Sequence, residues 1–294
     1  MYKLVAIDLD GTLLNSYGQV SNTNKVAIKK LIDKNIEVII ASGRPINSAS
    51  SFAKEIGANK YMICGNGSIL YDLQNNSIIY DKCIEKQKVL QIIKICEENS
   101  IYYNIYTENL TITKSLNYNT LVYNYENQNK TDEQKTNIKI VEDIYKYISE
   151  SENINILKIT ICDDNEIIFG SIIRKLRQIK GIDVLDVEHM SKKTIKYGTD
   201  EITIGYYYTE ITSQNVNKWN AIQELSKMLN IKNEEIVAIG DNINDKQMIE
   251  NAGLGIIMGN SAEYMKQFAN VEVSDNNSNG VAEAIEKYIL KNEE

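Results

Sequence analysis

Histidine and proline are almost absent: the 294 residues contain one of each, His189 and Pro45. Cysteine is scarce, and Cys64, Cys83, Cys96 and Cys162 stand far apart with no Cys-x-x-Cys pair. Zinc frameworks need several closely spaced His and Cys ligands, so the usual ones are excluded. The same spacing predicts free thiols in a reducing compartment, not a disulfide scaffold. Cations are in the minority, with 32 Lys and Arg against 40 Asp and Glu, for a net charge of −8. No basic patch interrupts that field, which argues against nucleic acid as a partner. No apolar run approaches the roughly 20 residues of a membrane helix. The first residues show no secretory pattern, because their short apolar stretch leads straight into acids. The expectation is a cytoplasmic protein whose partner is neither a membrane nor a nucleic acid. Hydrophobic residues, at 43%, suffice for a packed core. The length allows one large domain or two modest ones.

The first eighty residues alternate between strand and helix patterns. Residues 2–8 read as a buried strand, 22–35 as a helix with Ala27, Ile28, Leu31 and Ile32 on one face, and 37–41 as a second strand. Pro45 suits the first turn of the next helix, over about 46–56. A third strand, 61–64, ends at Gly65-Asn66-Gly67. This rhythm predicts an α/β fold with a doubly wound, Rossmann-like parallel sheet. The middle of the chain differs. A hairpin is expected over 68–80 and a helix over 85–99. Tyr-rich strand-like stretches follow over about 101–125, then a helix at 133–149, a strand at 154–162, a helix at 166–179 and strands to about 208. This reads as an inserted α+β domain at 83–207, leaving 1–82 and 208–294 as the core. The α/β rhythm returns near 217, with a strand at 235–239 running into Gly240-Asp241-Asn242-Ile243-Asn244-Asp245. A strand at 254–257 and a helix at 280–290 close the chain.

Ligands of open α/β sheets bind beyond the carboxyl ends of the strands. Four such ends carry polar clusters here: Asp8 and Asp10; Ser42-Gly43-Arg44; Asn66-Gly67; and Asp241, Asn244 and Asp245. In a parallel sheet they converge, and Lys218, at the start of a helix, can join them. Each cluster alone also occurs in ordinary turns. Their order at successive strand ends is what points to chemistry. Several carboxylates around one point need a cation, and hard oxygens in an α/β crevice favour Mg²⁺, which also binds phosphate. A lysine, a hydroxyl and glycine N–H groups suit phosphoryl oxygens. The set implies phosphoryl transfer, with one Asp attacking phosphorus and a second acid moving the proton.

Asp8-Leu9-Asp10-Gly11-Thr12-Leu13-Leu14 resembles the first motif of the haloacid dehalogenase-like (HAD) superfamily. Ser42-Gly43-Arg44 resembles its second motif, Lys218 its third, and Gly240 to Asp245 its fourth. The long α+β insertion between the second and third motifs, together with Ile63–Ser68 and Ile257–Ser261, is similar to the Cof-type subfamily IIB. The resemblance implies roles residue by residue. Asp8 would be nucleophile and Mg²⁺ ligand. Asp10 would be general acid/base, with its backbone carbonyl on the metal. Ser42 and the Gly43 N–H would hold the phosphoryl group, and Lys218 would neutralise Asp8 and the phosphate. Asp241 would ligate the metal directly and Asp245 directly or through water, while Asn244 would orient the loop or the phosphate. Two positions depart from the pattern: Trp219-Asn220 follow the lysine where glycine is usual, and Gln247 replaces a frequent acid.

The function this implies is a Mg²⁺-dependent phosphatase of small phosphorylated metabolites, such as sugar or cofactor phosphates, with the inserted cap choosing the leaving group. Tyr102, Tyr103, Tyr106, Tyr118 and Tyr123 are candidate cap residues. A phosphomutase or sugar-conjugate phosphatase is the alternative on the same fold. A phosphoacceptor module is the alternative of another class, although receiver domains are shorter and carry the acceptor Asp on a later strand.

Overall fold

A computed structural model describes residues 1–291 except 59, 130, 133–134, 187–189 and 198–199. His189 thus lies outside the described residues. The chain divides into two compact units. One comprises residues 1–44, 49–81 and 217–294, and the other residues 45–48 and 82–216.

The first unit begins with β1 (Leu4–Ile7), α1 (Asn22–Asp33), β2 (Glu37–Ala41), α2 (Ile46–Glu55, whose residues 46–48 fall in the other unit) and β3 (Tyr61–Cys64), then the hairpin β4 (Ile69–Asp72) and β5 (Ser77–Asp81). The second unit holds α3 (Lys86–Glu98), β6 (Tyr102–Thr107), β7 (Thr111–Thr113), α4 (Tyr118–Glu126), β8 (Ile138–Ile140) and α5 (Ile144–Glu150). It continues through β9 (Ile156–Asp163), α6 (Glu166–Leu176), β10 (Ile182–Val184), β11 (Ser191–Tyr197) and β12 (Asp200–Ser213). The chain returns to the first unit with α7 (Lys218–Leu229), β13 (Ile236–Gly240), α8 (Lys246–Asn251), β14 (Leu254–Met258), α9 (Glu263–Lys266), β15 (Val271–Val273) and α10 (Gly280–Ala284).

The sheet of the first unit has the order β15-β14-β13-β1-β2-β3-β4-β5. The six strands from β15 to β3 are parallel, and β4 and β5 are antiparallel additions. From β1 the chain winds outward through β2 and β3, then returns to β13 on the other side of β1. The order therefore reverses between β1 and β13, where a crevice opens at the strand ends. All four residues of β1 are fully buried, as expected of a strand covered on both faces. Helix α1 starts where the Ser21 hydroxyl accepts from the Asn24 N–H at 3.1 Å, and it buries Ala27, Ile28 and Leu31. Trp219, the departure next to the lysine motif, packs into the core with Ile222 and Leu225, whereas Gln247 is exposed.

The sheet of the second unit has the order β10-β12-β9-β6-β7-β8, with β11 paired to β12. One face carries Tyr103, Ile105, Ile159, Ile161 and Ile211 into a core shared with Ile92, Ile148 and Ile172. Three expectations are corrected here. The Tyr-rich stretch is not strand throughout, because Tyr118–Glu126 is the helix α4. The Thr120 hydroxyl accepts from the Asn117 N–H at 3.2 Å, so local capping overrides β-propensity. The expected helix at 133–149 starts only at Ile144, where Asp143 accepts from the Lys146 N–H at 2.8 Å; Ile138–Ile140 instead pair in parallel with β7. Residues 133 and 134 lie outside the description. The boundary expected at 207/208 moves to 216/217, because β12 is unbroken to Ser213 and residues 207–212 all pair with β9.

The four cysteines are free, and burial pushes the Cys64 thiol up to about 12. Among the described residues no helix is long and apolar enough to cross a membrane.

Ile39 is fully buried in β2. Ile39→Ala is expected to cost about 2–5 kcal/mol of unfolding free energy in the first unit. Urea unfolding followed by Trp219 fluorescence measures it, and a change below about 1 kcal/mol would contradict the packing described.

Candidate active site

Asp8 follows β1 directly. Its N–H donates to the Ile239 carbonyl at 3.0 Å, so the side chain leaves the sheet beside β13, at the point where the strand order reverses. Asp8 is nearly buried. The turn that follows needs Gly11, whose φ is +87°, and a Cβ there would run into the carboxylate of Asp241. Thr12 is fully buried and donates its hydroxyl to Asp241 Oδ1 at 2.8 Å. The first and fourth motifs are thus tied together directly.

Ser42 follows β2 directly and is buried. Its N–H donates to the Ile63 carbonyl at 2.9 Å, its own carbonyl accepts from the Asn66 N–H at 3.0 Å, and its hydroxyl accepts from the Arg44 N–H at 3.1 Å. Asn66 adopts a left-handed φ of +58°, which asparagine tolerates. Its Oδ1 accepts from Asn244 Nδ2 at 3.0 Å, linking the loops after β3 and β13. Gly67, with φ +101°, brings that loop against the start of α7, where a Cβ would strike the Asn217 carbonyl.

Lys218 is the first residue of α7, and Asn217 caps that helix by accepting from the Asn220 N–H at 2.8 Å. The lysine is fully buried. Its Nζ donates to Asp8 Oδ1 and, at 2.6 Å, to Asp245 Oδ1. Asp245 uses its other oxygen to accept from the N–H groups of Asp241 (3.0 Å) and Asn242 (3.1 Å). The carboxylate of Asp245 therefore braces the loop and the lysine. The carboxylate of Asp241 has a single side-chain donor described, Thr12.

Oxygens of Asp8, Asp241 and Asp245 lie within 4.8 Å of one another. Three carboxylates share one ammonium, and the imbalance appears in their acidities. Burial, then Asp245, pushes Asp8 well above the usual carboxylate range, with Lys218 pulling the other way. Burial and Asp245 likewise push Asp241 up to about 7, against the Thr12 hydrogen bond and Lys218. Burial alone would lower the Lys218 ammonium, but Asp245 and Asp8 together carry it above its ordinary value. A cluster of hard oxygens short of positive charge can hold a metal cation.

The structure brings together Asp8, Asp241, Asp245 and Lys218, and it sets Ser42, Gly43, Asn66 and Asn244 beside one another. The side chain of Asp10 is not in the carboxylate cluster. It is 59% exposed and pairs with Arg44, whose Nε and Nη2 donate to its two oxygens at 2.8 and 2.5 Å. The contacts of Thr12 and Arg44 were missed in the sequence. Both residues stand inside the recognised motifs, but only folding shows which acid each one meets.

A parallel α/β core with a lysine-clamped Asp at its switch point is the architecture of a phosphoryl-transfer hydrolase. A family model for haloacid dehalogenase-like hydrolases matches residues 5–285. The chain belongs to that family. Phosphatase YwpJ of Bacillus subtilis is 28% identical over 98% of this chain and all of that protein. The 5-amino-6-(5-phospho-D-ribitylamino)uracil phosphatase YcsE of the same organism is 26% identical over 98% of this chain and 96% of its own length. A solved haloacid dehalogenase-like hydrolase from B. subtilis superposes with a TM-score of 0.80 at 25% identity, covering 98% of this chain and 100% of that one. The chain is a phosphatase of the HAD type, in keeping with these end-to-end relatives.

A carboxyl group whose folded pKa lies above its ordinary 3.8 holds its proton more tightly in the folded protein. The stability contributed by protonated Asp241 is complete below about pH 4 and is lost as pH rises to about 7. Metal-free protein should therefore lose more stability across that window than Asp241→Asn. Thermal melts at several pH values in chelator measure the difference, and parallel pH profiles would contradict the electrostatics described.

Proposed function

We propose that this chain is a Mg²⁺-dependent phosphomonoesterase that hydrolyses small phosphorylated metabolites through an aspartyl phosphate on Asp8. One observation carries the reading. A nearly buried Asp8 carboxylate is held by the Lys218 ammonium beside two further acids, while a fourth acid, Asp10, stands apart towards solvent.

In this reading an Asp8 oxygen attacks phosphorus, and the bond from phosphorus to the ester oxygen breaks. The electron pair leaves on that oxygen, which takes a proton from Asp10. Water then attacks the phosphorus of the aspartyl phosphate and gives its proton to Asp10, releasing phosphate and regenerating Asp8. Lys218 holds Asp8 in line and offsets the charge of the phosphoryl oxygens. The Ser42 hydroxyl and the Gly43 N–H bind those oxygens, and Asn244 steadies the loop through Asn66. The donor set fits Mg²⁺, with Asp8, Asp241 and the Asp10 carbonyl as ligands and Asp245 as support. A bound Mg²⁺ would supply Lewis-acid stabilisation of phosphoryl charge. The relative YcsE, named for a ribitylamino-uracil phosphate, and the sugar and cofactor phosphates expected from the motifs share one chemistry, a phosphate ester of a polar metabolite. Discrimination among leaving groups is assigned to the inserted unit.

Phosphate release from a metabolite panel, with Mg²⁺ and with chelator, tests the reading. Asp8→Asn should lower turnover on the order of 10³-fold or more with its circular dichroism unchanged. Chelator should abolish release, and added Mg²⁺ should restore it. Turnover retained in Asp8→Asn would remove the nucleophile assignment, and turnover indifferent to chelator would remove the metal.

A further inference from the structure

Arg44 has no role in the chemistry described so far, yet it makes a two-pronged contact with the exposed acid of the site. Its Nε and Nη2 meet Asp10 Oδ2 and Oδ1 at 2.8 and 2.5 Å. Such a fork fixes the plane of a carboxylate as well as its position. Asp10 is 59% exposed on a turn, and both of its carboxylate oxygens accept from this fork.

Arg44 is itself anchored. Its N–H donates to the Ser42 hydroxyl at 3.1 Å, and its carbonyl accepts from the Gly65 N–H at 3.1 Å. Its guanidinium lies 5.2 Å from the ring centroid of Phe52, a buried residue of α2. The arginine is 19% exposed where its partner is 59% exposed. The ordered member of the pair is the arginine, so it orients the aspartate.

We propose that Arg44 is the positioning residue for Asp10, holding its carboxylate in the orientation from which it serves the leaving-group oxygen. The inference rests on the phosphatase reading above and extends it to a residue whose described contacts are with Asp10, Ser42, Gly65 and Phe52. The loop after β2 then acts twice, through the Ser42 hydroxyl on the phosphoryl side and through Arg44 on the proton-transfer side.

The dependence on the leaving group tests this. An alkoxide is a much stronger base than p-nitrophenolate, so an alkyl ester needs the proton from Asp10 far more than p-nitrophenyl phosphate does. With full-length protein and Mg²⁺, Arg44→Ala should lower kcat for glucose 6-phosphate at least about tenfold more than for p-nitrophenyl phosphate. Arg44→Lys, which keeps the charge and loses the fork, should shift the ratio the same way, and it decides the matter if the alanine variant does not fold. In an Asp10→Asn background, removing Arg44 should have no further effect on kcat. Equal losses on both esters, a loss confined to KM, or additive losses with Asp10→Asn would overturn the assignment. A wild type that releases phosphate from neither ester would overturn the phosphatase reading as well. Wild-type release abolished in Asp8→Asn, with equal losses in Arg44→Ala, would overturn the positioning role alone.

Discussion

The ammonium of Lys218 is fully buried between the carboxylates of Asp8 and Asp245, and the rest of the site is arranged around it. A buried charge without partners costs several kcal/mol, and so does each of the acids it meets. None of the three is tolerable alone. Their pairing ties the end of β1 to the start of α7 and to the loop after β13, three segments far apart in sequence. Asp245 extends the bracing by accepting from two N–H groups of its own loop. Gly67 lets the start of α7 come close enough for the lysine to reach inward.

The sheet topology explains why acids collect at this place. Parallel strands put their carboxyl ends on one side, and reversal of the order between β1 and β13 leaves a crevice that no crossover helix fills. Acidic side chains leaving those two strand ends must meet. One lysine cannot neutralise them all, which is why burial and mutual repulsion push Asp8 and Asp241 upward. The same imbalance makes the cluster suited to a divalent cation. The four acids of the site do different work. Asp8 is clamped, Asp245 braces, Asp241 faces the cluster with Thr12 behind it, and Asp10 stands outside on the fork of Arg44.

Much of this was legible in the chain. The strands leading to Asp8, Ser42 and Asp241 are short apolar runs ending in glycine-containing turns, and local chemistry decides them. The inserted segment was harder. Tyr118–Glu126 has the composition of a strand, but capping by Asn117 and Thr120 makes it a helix. Ile138–Ile140 lie where a helix was expected, because β7 offered them an edge. The end of the insertion was placed too early, since nothing in residues 208–213 announces that β12 continues beside β9. In each case pairing with a distant strand or a local cap outweighed intrinsic preference.

The amino-acid sequence alone determined the class of fold, and it pointed to Asp8, Asp10, Ser42, Lys218, Asp241 and Asp245 as candidate residues for phosphoryl chemistry. These follow from residue type and local spacing, which act over a few positions. The division of labour among the acids was decided only by tertiary structure. Which carboxylate Lys218 clamps, which one Thr12 touches and which one Arg44 forks depend on how loops some 30 to 230 residues apart come together. Electrostatic interactions over a few ångströms set those roles, and distances of that kind exist only once the sheet has brought its strand ends side by side.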